Sequence, residues 1–280
     1  ADPATWVKSN PCFGASVKPE FLEEQYHTMR TKPEQESAIL TKNFNMWVQA
    51  SDIWIGDDVW CACRSETPVE SLVGCECYAG LDLGSVNDFS SLVLAFHEND
   101  RTQLLPFFWI PEEKYRTRRE MQRENANIDV WVRQGLLHVT PGNVTDYDVI
   151  RRDIARLAER YDIRKIGYDS SQLVIDLQND GLPMDGFQQS ISNISPPTKE
   201  FERLVRSGDL EHYNHPVLRW MVSNVVVYRD ANDNLKPVKN RSPEKIDGVV
   251  AAIEAIGEWM SAQRTPPARS IYEERGLRTF

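Results

Sequence analysis

The sequence predicts a mixed α/β sheet flanked by helices, preceded by a mostly helical N-terminal appendage. Two observations lead there. From Cys77 onward short apolar runs follow one another between Gly, Asn, Asp and charged turns, and past Thr140 such runs alternate with stretches of helical period. The first 75 residues have a different texture, with Trp6, Trp47, Trp54 and Trp60 spread through them and little strand alternation. Strands first, then helices alternating with strands, is the pattern of a mixed sheet covered by helices. The expected organisation is an appendage and linker over residues 1–75, the sheet domain over 76–263 and a tail over 264–280.

Within the appendage, Pro19 opens an amphipathic helix to Arg30 whose inward face holds Phe21, Leu22, Tyr26 and Met29, with Glu20, Glu23 and Glu24 near its positive end. A loop around Pro33 precedes a second helix over Ile39–Ala50, and Glu66–Gly74 reads as a linker. Three antiparallel strands follow at Tyr78–Leu83, Ser91–Phe96 and Leu104–Ile110. Next come two helical stretches rich in Arg and Glu, a strand at Leu136–Thr140, a helix over Asp146–Tyr161 with Val149, Ile150, Ile154 and Leu157 on one face, and a strand at Lys165–Tyr168. A helix at Leu173–Asn179, a strand at Gly186–Gln189, and helices at Pro197–Ser207 and Pro216–Asn224 continue the alternation. Val225–Arg229 and Leu235–Val238 flank an Asp- and Asn-rich turn, a hairpin signature, before the final helix over Asp247–Ser261. The prolines at 266 and 267 mark the tail.

Acidic residues outnumber basic ones by 42 to 32 in 280 residues, a formal charge of -10, which excludes a uniformly basic nucleic-acid coat and leaves any DNA contact to local patches. No apolar run approaches the about 20 residues needed to span a bilayer, and the start at Ala1 carries no signal-peptide pattern. A cytosolic protein without membrane attachment is expected, and the absence of an initial Met suggests a processed chain or fragment. The five cysteines are expected as free thiols. Cys61/Cys63 and Cys75/Cys77 offer four thiolates, but structural zinc sites usually place about two to four residues between paired ligands. In a strand each pair would put two small apolar groups on one face.

The chemistry concentrates on aspartates at the edges of core elements. Asp82 interrupts an apolar strand that runs into a Gly turn, where Asp is disfavoured; Asp169 follows the strand ending Ile166-Gly-Tyr168; Asp247 opens the final helix. Converging over one end of the sheet, three carboxylates would supply the hard oxygens that Mg²⁺ or Mn²⁺ needs for in-line phosphoryl displacement. Each also has a purely structural reading: Asp82 as a hydrogen-bonded strand residue, Asp169 with Ser170 and Ser171 as a helix cap, Asp247 as an N-cap.

Gly80-Leu-Asp82-Leu-Gly-Ser85 with Asp88 six residues on, Ile166-Gly-Tyr-Asp169 and Lys245-Ile-Asp247-Gly-Val-Val-Ala-Ala252 together resemble the nuclease motifs of the large terminase subunit of tailed bacteriophages. Phe108-Trp-Ile-Pro111, Leu137-His-Val-Thr-Pro-Gly-Asn143 with Asp146-Tyr147, and Tyr272-Glu-Glu-Arg-Gly-Leu277 resemble that family in the same order, so the likeness covers most of the chain. It implies a ribonuclease H-like fold and two-metal (Mg²⁺ or Mn²⁺) hydrolysis of double-stranded DNA, cutting concatemers into genome lengths. Asp82, Asp169 and Asp247 would be the catalytic metal ligands, Asp82 bridging both ions, with Asp88 secondary. The resemblance also implies a small terminase subunit and a portal protein as partners, in the host cytoplasm and transiently at the procapsid portal. The family's packaging ATPase motif Gly-x-x-x-x-Gly-Lys-Ser/Thr is absent from this sequence, so ATP-driven translocation is not expected of it. Residues 6–64, including Ser9-Asn-Pro11 and Leu40-Thr-Lys-Asn-Phe-Asn45, resemble the end of that ATPase and its linker.

A DNA duplex needs cations along its phosphates. Lys236, Lys239, Arg241 and Lys245, just before Asp247, are the sharper candidates, with Lys245 expected to contact a scissile or adjacent phosphate. Lys114, Arg116, Arg118, Arg119 and Arg123 are interleaved with Glu112, Glu113, Glu120 and Glu124, which reads as a solvated helix face. His97, His138, His212 and His215 lack metal-ligand spacing and read as structural or surface residues. Two other functions fit parts of the pattern. Leu81-Asp-Leu-Gly-Ser85 resembles the first phosphate loop of actin-like and sugar kinases, without their second loop or adenosine motif. Alternatively, the acids merely cap elements of a portal-docking module, with Tyr272–Phe280 as a docking tail. A resolvase or transposase of the same fold is disfavoured by the flanking motifs.

Overall fold

The computed structural model of the chain describes residues 6–10, 12–31, 39, 43–44, 54–84, 88–120, 128–169 and 173–264. The predicted loop around Pro33, most of the predicted Ile39–Ala50 helix, Arg123, the Ser170–Ser171 cap and the tail after Arg264 lie outside them. Two compact units divide the chain, residues 1–53 and 54–280. Among the described residues no helix is long and apolar enough to cross a membrane.

In the smaller unit, α1 (Trp6–Ser9) and α2 (Pro19–Thr31) carry Trp6 and Leu22 into a cluster with Ile39 and Phe44, against which Phe13, Val17 and Tyr26 pack. Leu22 and Tyr26, four residues apart, define the inward face of α2. Phe21, predicted to share it, is 46% exposed, because one helical step of about 100° turns it off that stripe. The predicted inward position of Met29 lies outside the described side chains.

The larger unit is built on a seven-stranded mixed sheet. Strands β1 (Glu76–Asp82), β2 (Ser90–Glu98) and β3 (Arg101–Pro111) form the predicted antiparallel meander, with Gly80 opposite Val93 and Leu94 opposite Leu105. On one side β5 (Asp162–Tyr168) runs parallel to β1 and β6 (Met184–Gly186) parallel to β5. On the other, β4 (His138–Thr140) and β7 (Leu210–His212) pair with different stretches of β3, both parallel. The path β4-β3-β2-β1-β5-β6, with β7 beside β3, is the predicted mixed topology.

Helices cover both faces, so the strands read as apolar runs rather than alternating ones. Their order is α3 (Asp57–Ala62), α4 (Glu112–Glu120), α5 (Ile128–Arg133), α6 (Tyr147–Arg160), α7 (Leu173–Asn179), α8 (Ile191–Ser207), α9 (Pro216–Asn224) and α10 (Asp247–Arg264). Val93, Ala95, Leu104, Phe108 and Ile110 join α8, α9 and α10 in one core; Leu92, Leu94, Phe96, Leu105 and Trp109 join α6 and α7 in the other. Asp146 caps α6, accepting hydrogen bonds from the backbone N–H groups of Asp148 and Val149. Strands β8 (Val227–Arg229) and β9 (Leu235–Pro237) form the predicted hairpin.

Two local expectations are corrected. Helix α8 begins at Ile191, and Pro196 and Pro197 lie inside it rather than at its start. The carbonyls left without donors belong to Ser192 and Asn193, both exposed, so solvent satisfies them. Cys61 lies in α3 and Cys63 caps it, so that pair is not on a strand; Cys63 is buried and Cys61 is not. Residues 54–75 fall within the larger unit. Trp60 stacks on His212 with ring centroids 4.1 Å apart, and His212 Nε2 donates to the Trp60 carbonyl at 2.7 Å while its Nδ1 accepts from Asn214 N–H at 3.0 Å. His212 is thus structural, as predicted.

Candidate active site

Alternation along β1 sends Cys77, Ala79 and Leu81 into the core under α6 and α7, and therefore Gly80 and Asp82 toward α10. At Gly80 an added Cβ would stand 2.0 Å from the Ala251 carbonyl oxygen and 2.8 Å from Ala255 N. Only glycine lets α10 lie so close to β1. That approach carries Asp247, the first residue of α10, to Asp82 at the end of β1. Both carboxylates are buried, each 5% exposed.

Lys239, in the turn after β9, binds the pair together. Its Nζ donates to Asp82 Oδ1 at 2.8 Å and Oδ2 at 2.5 Å, and lies 3.0 Å from Asp247 Oδ1. Burial pushes the Asp82 carboxyl up to about 7 against the pull of Lys239, and the charges of Asp247 and Asp169 push the same way. Burial alone would lower Lys239, but the two carboxylates overturn that and hold its proton above the ordinary range. Asp88 accepts from the Phe89 N–H at 2.8 Å and forms an ion pair with Lys245. Asp169 follows β5 directly and is exposed, near enough for its charge to be felt at Asp82. Leu83, Gly84, Asp88, Lys239, Lys245 and Asp247 line a cavity of about 510 Å³. The three predicted aspartates therefore do gather at one end of the sheet, with Asp82 and Asp247 in the closest association.

The donor set fits a divalent cation. The oxygens are hard, Asp247 Oδ2 is buried without a hydrogen-bond partner, and a cation, the Lys239 ammonium, already sits between the two acids. Among the described residues no three His, Cys, Asp or Glu side chains form a ready metal cage. Asp82 and Asp247 would thus be the inner pair, and Asp169 would have to approach them.

Glu254, two turns further along α10, is fully buried and was not singled out in the sequence. Gln189 Nε2 donates to its Oε1 at 2.9 Å, while Oε2 has no hydrogen-bond partner. Burial, then the Asp82 charge, raises this carboxyl well above the ordinary range. The available signal was a lone acid in the otherwise apolar run Val249–Ile256.

The predicted phosphate cations all have protein partners. Lys239 and Lys245 hold the acids, Lys236 Nζ donates to the Gln189 carbonyl at 2.6 Å, and the Arg241 guanidinium lies 5.8 Å from the Tyr228 ring centroid. In the other basic stretch Arg116 pairs with Glu112 at 2.5 Å across one helical turn, as expected of a solvated face. Arg118 departs from that expectation. Its guanidinium lies over the Phe89 and Trp220 rings, where cation–π attraction favours it, and pairs with Glu244 at 2.9 Å.

The family model described as terminase large subunit, endonuclease domain, matches residues 1–263. The chain belongs to that family. It is 32% identical over 259 residues to the large terminase subunit of Enterobacteria phage HK97, covering 90% of this chain and 50% of that protein. It is 28% identical over 292 residues to Protein YmfN of Escherichia coli (strain K12), covering 100% of this chain and 64% of that one. The crystal structure of the HK97 bacteriophage large terminase matches with a TM-score of 0.65 at 31% identity, over 92% of this chain and 54% of that chain. The chain thus spans between half and two-thirds of the length of the curated relatives it matches. Its fold is the ribonuclease H-like fold of terminase nucleases, as the sequence motifs implied.

Proposed function

We propose that the chain is a metal-dependent DNA endonuclease that cuts concatemeric viral DNA during genome packaging. The observation that carries this reading is the buried Asp82–Asp247 pair, joined by Lys239 beside a cavity of about 510 Å³ that Asp247 and Lys239 line, in a chain of the terminase endonuclease family. Two buried carboxylates side by side repel each other and persist only around a positive charge. Asp82 and Asp247 would hold divalent ions, Mg²⁺ or Mn²⁺, with Asp169 completing the set and Asp88 acting behind them. Two such ions, when bound, supply an activated water and neutralise the charge that builds on the departing 3′ oxygen.

The chain's own residues do the rest. Gly80 fixes the distance between the strand and helix that carry the acids. Asp82 must shed its proton to bind a cation, so binding strengthens as pH rises toward about 7. Lys236, Lys239, Arg241 and Lys245 hold the duplex by its phosphates, which position DNA without reading its sequence. The whole chain's net charge of -10 makes such a local patch necessary. Double-stranded DNA is the substrate, and the small terminase subunit and the portal protein are the partners, met in the host cytoplasm and at the procapsid portal. Residues 1–75 serve as the end of the ATPase region and linker, 76–263 as the nuclease and 264–280 as a tail.

Plasmid cleavage tests this. With Mg²⁺ or Mn²⁺ the chain nicks plasmid with little site preference, EDTA stops it, and Asp82→Asn, Asp169→Asn and Asp247→Asn, each folded by circular dichroism, lose cleavage. A folded wild type that cuts with neither ion, or variants that cut as well as it does, overturns the assignment and leaves the docking or kinase-like reading.

A further inference from the structure

Lys239 does not sit as a phosphate-binding lysine should. Such a residue presents its ammonium to the cavity, whereas this one turns its ammonium inward, 2.8 and 2.5 Å from the Asp82 oxygens and 3.0 Å from Asp247 Oδ1. The acid side chains it meets are 6% and 7% exposed, but its own is 45% exposed. The stem is thus open to solvent along the cavity wall that it lines. Its backbone lies in a turn between β9 and α10, not in a helix or strand, and the four-carbon stem is flexible.

The ammonium and a divalent ion would use the same lone pairs. An ammonium donates hydrogens to carboxylate oxygens at nearly 3 Å, whereas Mg²⁺ takes the same oxygens at about 2.0–2.1 Å and demands near-octahedral order. Both cannot occupy the gap between Asp82 and Asp247. With neither present, the two buried carboxylates would repel each other until one took up a proton.

We propose that Lys239 is the resident counter-ion of the metal-free site: it holds Asp82 and Asp247 together, swings out of the pair when a divalent cation enters, and then offers its ammonium to a DNA phosphate. The proposal rests on the metal-dependent reading above. It gives Lys239 two alternative partners, acid pair or phosphate, and no covalent bond changes in the exchange. Two consequences follow from linkage. The internal competitor weakens metal binding in the absence of DNA, and DNA, by capturing the released ammonium, strengthens it.

The test follows the lysine and the metal separately from cleavage. In the wild-type chain, acylation of Lys239 by an amine-reactive ester, read by peptide mass spectrometry, should rise roughly fivefold or more when Mn²⁺ or non-cleaving Ca²⁺ is added, as the paired amine is freed. By calorimetry without DNA, Lys239→Met should bind Mn²⁺ roughly tenfold more tightly than wild type, and Lys239→Arg should not gain. A short non-cleavable duplex should raise Mn²⁺ affinity in the wild type but not in Lys239→Met. Unchanged acylation, together with equal or weaker Mn²⁺ binding by Lys239→Met, overturns the proposal and leaves the nuclease reading intact. Absence of Mn²⁺ binding by the wild type, or full binding by Asp82→Asn, removes both. The acylation arm uses the unaltered chain, so a folding defect in the variants cannot blur the result.

Discussion

Helix α10 meets two clusters made from the same parts, two carboxylates and a lysine. At its first turn are Asp82, Asp247 and Lys239; near its far end are Asp185, Glu258 and Lys165. At the far end one acid escapes: the Asp185 side chain is 47% exposed and takes the lysine at 2.5 Å, while Glu258, buried, is left 3.8 Å from it. Burial, then the Asp185 charge, pushes Glu258 up to about 7, the level to which burial also brings Asp82. At the first turn neither acid escapes, and a cation is seated between them. Identical ingredients thus share the lysine between both acids or leave it to one of them, according to whether the second acid can reach water.

The sharpest way to break this comparison is to neutralise one acid in each cluster. Asp82→Asn should lower plasmid cleavage by more than about a hundredfold, whereas Asp185→Asn should leave it within about twofold. Equal losses would mean that the far cluster also serves the reaction.

The glycines that admit α10 give the next largest effect, and they are direct neighbours, Gly80 opposite Gly167. A Cβ at Gly80 meets backbone, the Ala251 oxygen at 2.0 Å; at Gly167 it meets the Glu258 side chain, with Cγ at 2.9 Å. Backbone cannot move aside and a Glu side chain can. Gly80→Ala should therefore cost about 3 kcal/mol in urea unfolding and abolish cutting, and Gly167→Ala about 1 kcal/mol with cutting retained. Comparable costs would show that the helix is free to shift off the strand.

The smallest effect is a pH dependence. The fold binds the Glu258 proton more tightly than the unfolded chain does, so that stabilisation is present at low pH and lost as pH rises through about 7. Glu258→Gln cannot lose it. In EDTA the variant should be more stable than wild type by about 1–2 kcal/mol at about pH 8, the advantage shrinking toward zero at about pH 5. A pH-independent difference would mean that the carboxyl is already ionised in the acidic range.

The meander from β1 to β3, the capped α6 and the final helix were legible in the sequence because their apolar runs are long and bounded by turn residues. The acids were legible because an Asp inside an apolar strand, as at Asp82, or at the mouth of an apolar helix, as at Asp247, costs free energy that packing alone would not accept. What stayed hidden depended on partners far away in sequence. Strand β7 has three residues and exists through its pairing with β3. The start of α8 is hidden because prolines usually mark a first turn, whereas here exposed carbonyls at Ser192 and Asn193 let solvent relieve Pro196 and Pro197 inside the helix. Glu254 is masked by the apolar residues on either side of it, and its burial shows only once α10 is packed on the sheet. Lys239 was readable as a basic residue near the site, but not as a partner of the acids, since spacing gives no account of which way a lysine turns.

Lys239 and Asp82 are 157 residues apart in sequence, and Asp247 lies further still. Contacts of such separation form late, after the local meander, because closing so large a loop costs entropy before it brings reward. A chain still emerging from the ribosome carries Asp82 long before it carries α10, and the strand that bears it can pair with β2 in the meantime. The candidate site is thus incomplete throughout synthesis: the half made first has neither its second acid nor its lysine, and the acid pair is assembled only with the docking of α10.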